Sequence, residues 1–229
     1  MIAAKLSQVN ERIASACAAA GRDVQTVTLL AVSKTFDAAA VAEAHAAGQR
    51  RFGENYVQEA VDKIDALAGL DPTPEWHLIG PLQANKTRVV AERFDWVQSI
   101  DRLKIAERLS AQRPASMAPL SVCLQVNVSG EATKGGVAPG ELAALAHAVA
   151  RLPRLRLRGL MAIPEPAGDV EAQCAPHRRL RALHDGLRAG GLALDTLSIG
   201  MSADLEAAIA EGSTMVRVGS AIFGTRPRA

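Results

Sequence analysis

A lysine stands alone at the end of the apolar run LLAVSK, residues 29–34, and an alanine-rich stretch follows it. Successive side chains of a strand alternate between faces, so Lys34 shares a face with Val32 and Leu30 while Leu29 and Ala31 point the other way. An amine at the rim of an apolar interior is partly desolvated, which disfavours the ammonium and lowers its pKa. The neutral amine can attack a carbonyl and form an imine. The alternative is a lysine that carries its charge out to solvent on a long apolar stem. A second set of residues lies in LSIGMSADLEAAIAEGSTMVRVGSAIFG, 197–224. Gly200–Ser202 and Gly219–Ser220 combine glycines with hydroxyls at two strand ends. The first leads into a helical pattern in which Ser202 is the expected N-cap, with Asp204 and Glu206 in the first turn. Backbone N–H groups at such a start attract anions such as phosphate. Each cluster could also do no more than cap a helix and permit a turn. Arg217 lies between Val216 and Val218, on the face expected to point inward, where a guanidinium needs an acceptor.

Other polar groups are open to two readings. In SVCLQVNVS, 121–129, Val122, Leu124, Val126 and Val128 alternate with Cys123, Gln125 and Asn127. The polar set then faces inward, and Asn127 reaches the upper rim as a ligand contact or as a satisfied buried amide. His77, in EWHLIGPLQANK, is a candidate base or ring contact, or a structural strand histidine. The arginines of RLPRLRLRG, 151–159, have no interleaved aromatics and read as a solvated end of the fold.

The elements that must position these groups alternate along the chain. Eight β-rich runs (TVTLLAVSK, RRFGE, EWHLIG, DWVQSI, LSVCLQVNVS, LRLRGLMAI, TLSIGM and MVRVGSAIFG) are separated by helical patterns near 37–47, 55–68, 83–93, 101–113, 138–151, 169–190 and 202–211. A further helix, 2–20, precedes the first strand. Eight βα units in 229 residues predict a closed parallel (β/α)8 TIM barrel as one domain over 1–229, with an open doubly wound sheet as the alternative. No GxGxxG follows the first strand, where a dinucleotide-binding sheet would place it. In a barrel, active groups gather at the carboxyl ends of strands, and phosphate is commonly held after strands seven and eight. Lys34 and the two Gly/Ser clusters fall there.

Composition narrows the partner. With 48% hydrophobic and 22% charged residues the chain can bury a substantial core, and a net charge of +2 gives no strong field toward nucleic acid or anionic membrane. Apolar runs fall short of the roughly 18 residues of a membrane span, and the charged N-terminal helix is unlike a signal peptide, so a cytoplasmic protein is expected. Cys17, Cys123 and Cys174 are too few and too far apart for a disulfide framework or a CxxC metal site. The expected partner is a small molecule. A strand-one lysine, an opposed phosphate site and an interior arginine describe a pocket for a phosphorylated aldehyde.

At this point the wording of the chain becomes informative. LLAVSK, RRFGENYVQEA, WHLIGPLQANK, SIDR, VNVSGEATKGG, RGLMAIP, the run 197–224 and the short tail after it follow one another across nearly the whole chain. Together they resemble the pyridoxal-phosphate homeostasis protein family, single-domain relatives of the alanine racemase N-terminal barrel. The resemblance implies a fold-type III barrel in which Lys34 holds pyridoxal 5'-phosphate as an internal aldimine. It further implies that Ser202, Gly219 and Ser220 bind the phosphate, that Arg217 partners the pyridine nitrogen, and that Asn55, Ile79, Asn127, Met161 and Met201 line the ring pocket. Ser220 stands where relatives often have threonine and keeps the hydroxyl. The Arg/Ala-rich stretch 166–190 lacks the aromatics expected in relatives, which puts the sixth helix in question.

A permanently charged guanidinium donating to the ring nitrogen disfavours its protonation and makes the ring a weaker electron sink. Racemases that share the barrel add a β-domain and a tyrosine supplied across a dimer. Here the chain is expected to end just after strand eight, with Tyr56 as its sole tyrosine. The expectation is a monomeric protein that holds, buffers and delivers the cofactor through transient contact with apo-enzymes, with little or no amino-acid turnover and no metal. Two enzyme readings stand against it. One is a racemase using Lys34 with His77 or Tyr56 as the second base; the other is a Schiff-base aldolase needing carboxylates near the lysine. Glu54 has no evident partner for that role, and Asp101 reads as a helix N-cap.

Overall fold

The structure, a computed structural model, describes residues 1–130, 135–165 and 167–225. Residues 131–134 of VNVSGEATKGG, Pro166 and the tail from 226 lie outside the described residues. Eight strands, β1 Thr28–Val32, β2 Arg51–Glu54, β3 Glu75–Leu78, β4 Trp96–Ile100, β5 Leu120–Gln125, β6 Leu155–Met161, β7 Thr196–Ser198 and β8 Met215–Val218, pair in chain order. All pairs are parallel. Closure by β1 on β8, with Leu30 opposite Arg217, decides for the barrel over the open sheet.

Between and around the strands lie α1 Ile2–Ala19, α2 Ala38–Ala46, α3 Val57–Ala66, α4 Thr87–Arg93, α5 Leu103–Gln112, α6 Pro139–Ala150, α7 Val170–Ala189, α8 Leu205–Ala210 and α9 Ser220–Phe223. Helix α1 buries Leu6, Val9, Ile13, Ala16 and Cys17 at helical spacing, and this stripe seats it on α2, α8 and α9 beside the β8/β1 closure. The main apolar core lies between strands and helices, where Ala31, Phe52, Leu78, Val97, Val122, Leu124 and Leu160 point outward from the barrel. Gly159 makes one part of the closure possible: a Cβ there would sit 1.7 Å from the Thr196 carbonyl oxygen.

Four expectations change. The run 215–224 is strand only to Val218, and Ser220–Phe223 turns into α9, whose Phe223 ring stacks on Phe36 at 5.2 Å. Helix α8 begins at Leu205 with Asp204 at the N-cap position and not Ser202, because the Asp204 carboxylate turns back to accept the Met201 N–H at 2.7 Å. Asp101 does not cap α5; Arg102 occupies that position, and Asp101 lies 3.4 Å from its guanidinium. The stretch after β6 is a full helix despite its lack of aromatics, since Cys174, His177, Leu180, His184 and Leu187 supply the buried stripe of α7. Among the described residues no helix is long and apolar enough to cross a membrane, and no cluster of His, Cys, Asp or Glu is placed to hold a metal. The three cysteines are free thiols, all buried.

Candidate functional site

A cavity of about 290 Å³ opens at the carboxyl ends of the strands. Its apolar wall comes from Val32, Ile79, Ile163 and Met201, and its polar lining from Lys34, Asn55, Ser202, Arg217, Gly219 and Ser220. That volume is at the lower end of small-molecule sites. Lys34, Asn55, Ser202, Gly219 and Ser220 lie past strand ends, where the backbone leaves the sheet and a side chain can face the opening, while Arg217 reaches the cavity from within β8.

The lysine is held from behind. Lys63, on α3, is 4% exposed and its Nζ donates to the Ser33 carbonyl oxygen at 2.7 Å, to Glu54 Oε1 at 2.7 Å and to Glu59 Oε1 at 2.6 Å. Ser33 Oγ donates to the same Glu54 oxygen at 2.6 Å, and Glu59 Oε1 accepts the Thr35 N–H at 2.6 Å. The residues on both sides of Lys34 are therefore tied to one buried ion cluster. Thr35 sits at φ 69°, a left-handed conformation that a threonine adopts only where its surroundings impose it. Burial raises the Glu54 pKa, and the charge of Lys63 opposes the rise without cancelling it. Glu54 thus has the partner that sequence reading did not find. The available signal was Glu59 and Lys63 at i,i+4, with Lys63 on the stripe of Ala60 and Leu67.

Across the cavity, Arg217 is 4% exposed, and the acceptors it needs are neutral. Its Nη1 donates to the carbonyl oxygen and Oγ of Ser198 at 2.7 and 2.8 Å, and Nη2 donates to the Ala162 carbonyl oxygen at 2.7 Å. Burial lowers its pKa to about 10, so it stays charged at neutral pH. Gly200, at φ +103°, lets the chain turn from β7 into the Ser202 loop; a Cβ there would also strike Ala208 Cβ at 2.4 Å. The loop is then pinned by Asp204, whose other oxygen lies 3.1 Å from His177 of α7.

The family described as "Alanine racemase, N-terminal domain" matches residues 5–227. The chain is 63% identical over 225 residues to the pyridoxal phosphate homeostasis protein of Pseudomonas aeruginosa, covering 98% of this chain and 96% of that one. The chain belongs to the pyridoxal phosphate homeostasis protein family. The Escherichia coli protein of the same name is 57% identical over 226 residues, covering 98% and 97% of the two chains. Among solved structures, PipY of Synechococcus elongatus with PLP bound superposes with a TM-score of 0.86 at 38% identity, over 98% of this chain and 100% of that one.

The positions that the family resemblance singles out divide into two groups. Lys34, Asn55, Ile79, Met201, Ser202, Arg217, Gly219 and Ser220 all converge on the cavity. Met161 does not line it, because it lies deeper in the barrel, packed with Trp96 and Cys123 at 0% exposure. Asn127 also stands apart from the wall, and its Oδ1 accepts the Gly130 N–H at 3.0 Å within its own turn. The two candidate second bases are elsewhere. His77 is 0% exposed inside the barrel, stacked on Trp96 at 5.0 Å, while Tyr56 is exposed at the start of α3.

Proposed function

We propose that this chain binds pyridoxal 5'-phosphate in the strand-end cavity, with Lys34 as its covalent anchor, and serves the homeostasis of that cofactor. The cavity's unmet hydrogen-bonding capacity carries the reading. Among the described residues, Asn55 Oδ1 is buried there with no hydrogen-bond partner, and Arg217 makes three hydrogen bonds with a group that has five N–H donors. A buried acceptor left unpaired is costly unless something else occupies the site. The donor set suits the molecule: an amine, two serine hydroxyls at chain turns, and an apolar wall of ring-sized extent. When bound, pyridoxal phosphate supplies an aldehyde, a phosphate dianion and a ring that accepts electrons best with its nitrogen protonated.

Lys34 supplies the amine, on a backbone fixed on either side by the Lys63 cluster. Ser202, Gly219 and Ser220 offer hydroxyl and N–H donors to the phosphate. Arg217 donates to the ring nitrogen and, being charged, keeps a proton off it. Asn55, Ile79 and Met201 bound the ring. Among the described residues, the cavity lining holds no histidine, tyrosine, cysteine or carboxylate to act with Lys34 as a second base. This favours holding and delivery over amino-acid turnover. The reading extends to one domain over 1–229, acting as a monomer in the cytoplasm, where buried reduced thiols persist, and handing the cofactor to apo-enzymes by transient contact.

The test is the visible spectrum of the purified protein before and after borohydride, beside Lys34→Ala. The expected outcome is a visible band, lacking in the variant, that reduction abolishes while fixing the cofactor to the peptide containing Lys34. A colourless protein that takes up no added pyridoxal phosphate would refute the cofactor reading. Rapid deuterium incorporation at the α-carbon of an amino acid would refute the carrier reading and leave the racemase.

A further inference from the structure

Beneath the cavity, a polar file crosses the barrel interior from one end to the other. Arg217 Nη1 donates to Ser198 Oγ at 2.8 Å, and Ser198 Oγ donates to Gln98 Oε1 at 2.6 Å. Gln98 Nε2 then meets His77 Nδ1 at 2.9 Å, and His77 Nε2 meets Glu75 Oε1 at 2.8 Å. The same carboxylate oxygen accepts Arg51 Nε at 3.1 Å. Five strands contribute, and the file ends at a polar chamber of about 590 Å³ at the amino ends of the strands, lined in part by Arg51, Glu75, Asp95 and Arg158.

The directions of these bonds are determined by their ends. A carboxylate only accepts, so His77 must present Nε2–H to Glu75 and a bare Nδ1 to Gln98. Gln98 must then turn its NH₂ to His77, its second N–H reaching Met215 Sδ at 3.1 Å, and its oxygen to Ser198. Ser198 is left with a lone pair for Arg217. Every bond runs in one sense, from guanidinium to carboxylate, and dipoles so aligned reinforce one another in a dry interior. Ser198, Gln98 and His77 are each 0% exposed, so water does not compete. Of the charged groups facing His77, Glu75 and Asp95 favour the imidazolium and Arg51 opposes it, while Arg158 lies over the Trp96 ring that His77 stacks on. Burial outweighs them and keeps the ring neutral. A carboxamide does not pass protons along at neutral pH, so this is a chain of oriented dipoles and not a proton wire.

We propose that Ser198, Gln98, His77 and Glu75 are positioning residues that act through Arg217, so that the charge balance at the amino end of the barrel sets how the guanidinium meets the ring nitrogen in the cavity. This rests on the pyridoxal phosphate reading. None of the four lines the cavity. Glu75→Gln keeps an acceptor for His77 and removes the charge at the far end of the file. Gln98→Met interrupts the middle.

The first arm of the test needs no cofactor: nitrogen NMR of the His77 ring in the ligand-free protein. The file requires the Nε2–H tautomer, with no titration across about pH 5.5–8.5, where a free imidazole changes charge. A charged ring or the Nδ1–H tautomer in that range overturns it. The second arm follows loaded protein. Both substitutions are expected to move the visible absorption maximum and its pH profile, and to speed cofactor release by about two- to thirty-fold, the range of coupling between residues that do not touch the ligand. Glu75 is partly exposed, so Glu75→Gln is expected to fold even where Gln98→Met does not. Unchanged spectrum and release rate in Glu75→Gln overturns the coupling. A wild-type chain that loads no pyridoxal phosphate while His77 shows the required tautomer refutes the cofactor reading, and the coupling with it, without touching the hydrogen-bond file.

Discussion

Lys63→Met removes the cation at the centre of the cluster behind Lys34 and keeps most of the side-chain volume. The variant strands Glu54, which is 0% exposed and among the described residues retains only Ser33 Oγ as a donor, whereas Glu59 is partly exposed and regains water. Breaking a buried ion pair from one side costs about 3–5 kcal/mol. Glu54 can escape part of that cost by taking a proton. Holding a carboxyl of ordinary pKa protonated costs about 4 kcal/mol at pH 7.5 and about 2 kcal/mol at pH 5.5. The two routes meet near 4 kcal/mol at the higher pH. In the variant the folded pKa of Glu54 lies above its unfolded value, so stability is fullest at low pH and is lost as pH rises through the folded value. Thermal unfolding followed by circular dichroism should show a Tm about 8–16 °C below wild type at pH 7.5, given about 2–4 °C per kcal/mol for a chain of this size. The gap should narrow on acidification to pH 5.5. Glu54→Gln in the Lys63→Met background removes the stranded charge and should recover most of the loss. A variant within about 2 °C of wild type at pH 7.5, or one whose deficit grows on acidification, would refute this account of the cluster.

Gly159→Ala would force β6 and β7 apart and should destabilise by about 3 kcal/mol, the upper end of overpacking costs, read as a fall in Tm. None of the three thiols should react with an aromatic disulfide reagent until the protein unfolds, and Cys123, whose pKa burial raises to about 12, should be slowest. Burial pushes the Asp204 carboxyl up, but contacts with His177 and the Met201 N–H outweigh it and hold the pKa below the ordinary value. Its stabilising contribution is present above the unfolded pKa and lost as pH falls through the folded one, so His177→Phe should raise the pH midpoint of acid unfolding. Arg217→Lys cannot reach both Ser198 and Ala162, and should weaken pyridoxal phosphate binding by about tenfold or more in an equilibrium titration, the loss of one charge-assisted hydrogen bond.

Strand alternation and βα period pointed to a barrel and turned Lys34 and Arg217 inward, because both depend on local pattern, but left an open sheet and a solvent-directed Lys34 as alternatives; the pairing of β1 with β8 and the cavity lining decide between them. The α9 turn was not legible, since MVRVGSAIFG is mostly apolar and rich in strand-forming residues, and only the positions of α1 and Phe36 require the chain to curl after Gly219. The start of α8 was misread for a similar reason. Ser202 and Asp204 are both good caps, and the choice falls to the residue whose carboxylate reaches Met201 and His177. Met161, which the resemblance set in the ring pocket, packs deeper in the barrel with Trp96 and Cys123, a matter of strand stagger that one strand's sequence does not contain. Lys63 carries only the faint local signal of its stripe with Ala60 and Leu67. Its role depends on Ser33 and Glu54, which only the packing of α3 against the ends of β1 and β2 brings within reach.

The lumen of the barrel is divided. Leu30, Val32, Ile79 and Met215 form one apolar group and Trp96, Cys123 and Met161 another, while Ser198, Gln98 and His77 run through the same interior. For protein engineering, volume is therefore the wrong variable by which to refill it. Leu30→Met or Met161→Leu keeps shape and should cost less than about 1.5 kcal/mol. A hydrocarbon of matching size at position 98 strands a hydroxyl on one side and an imidazole nitrogen on the other. Those central positions have to be redesigned as a set, and a library that varies them singly will return mostly unfolded clones.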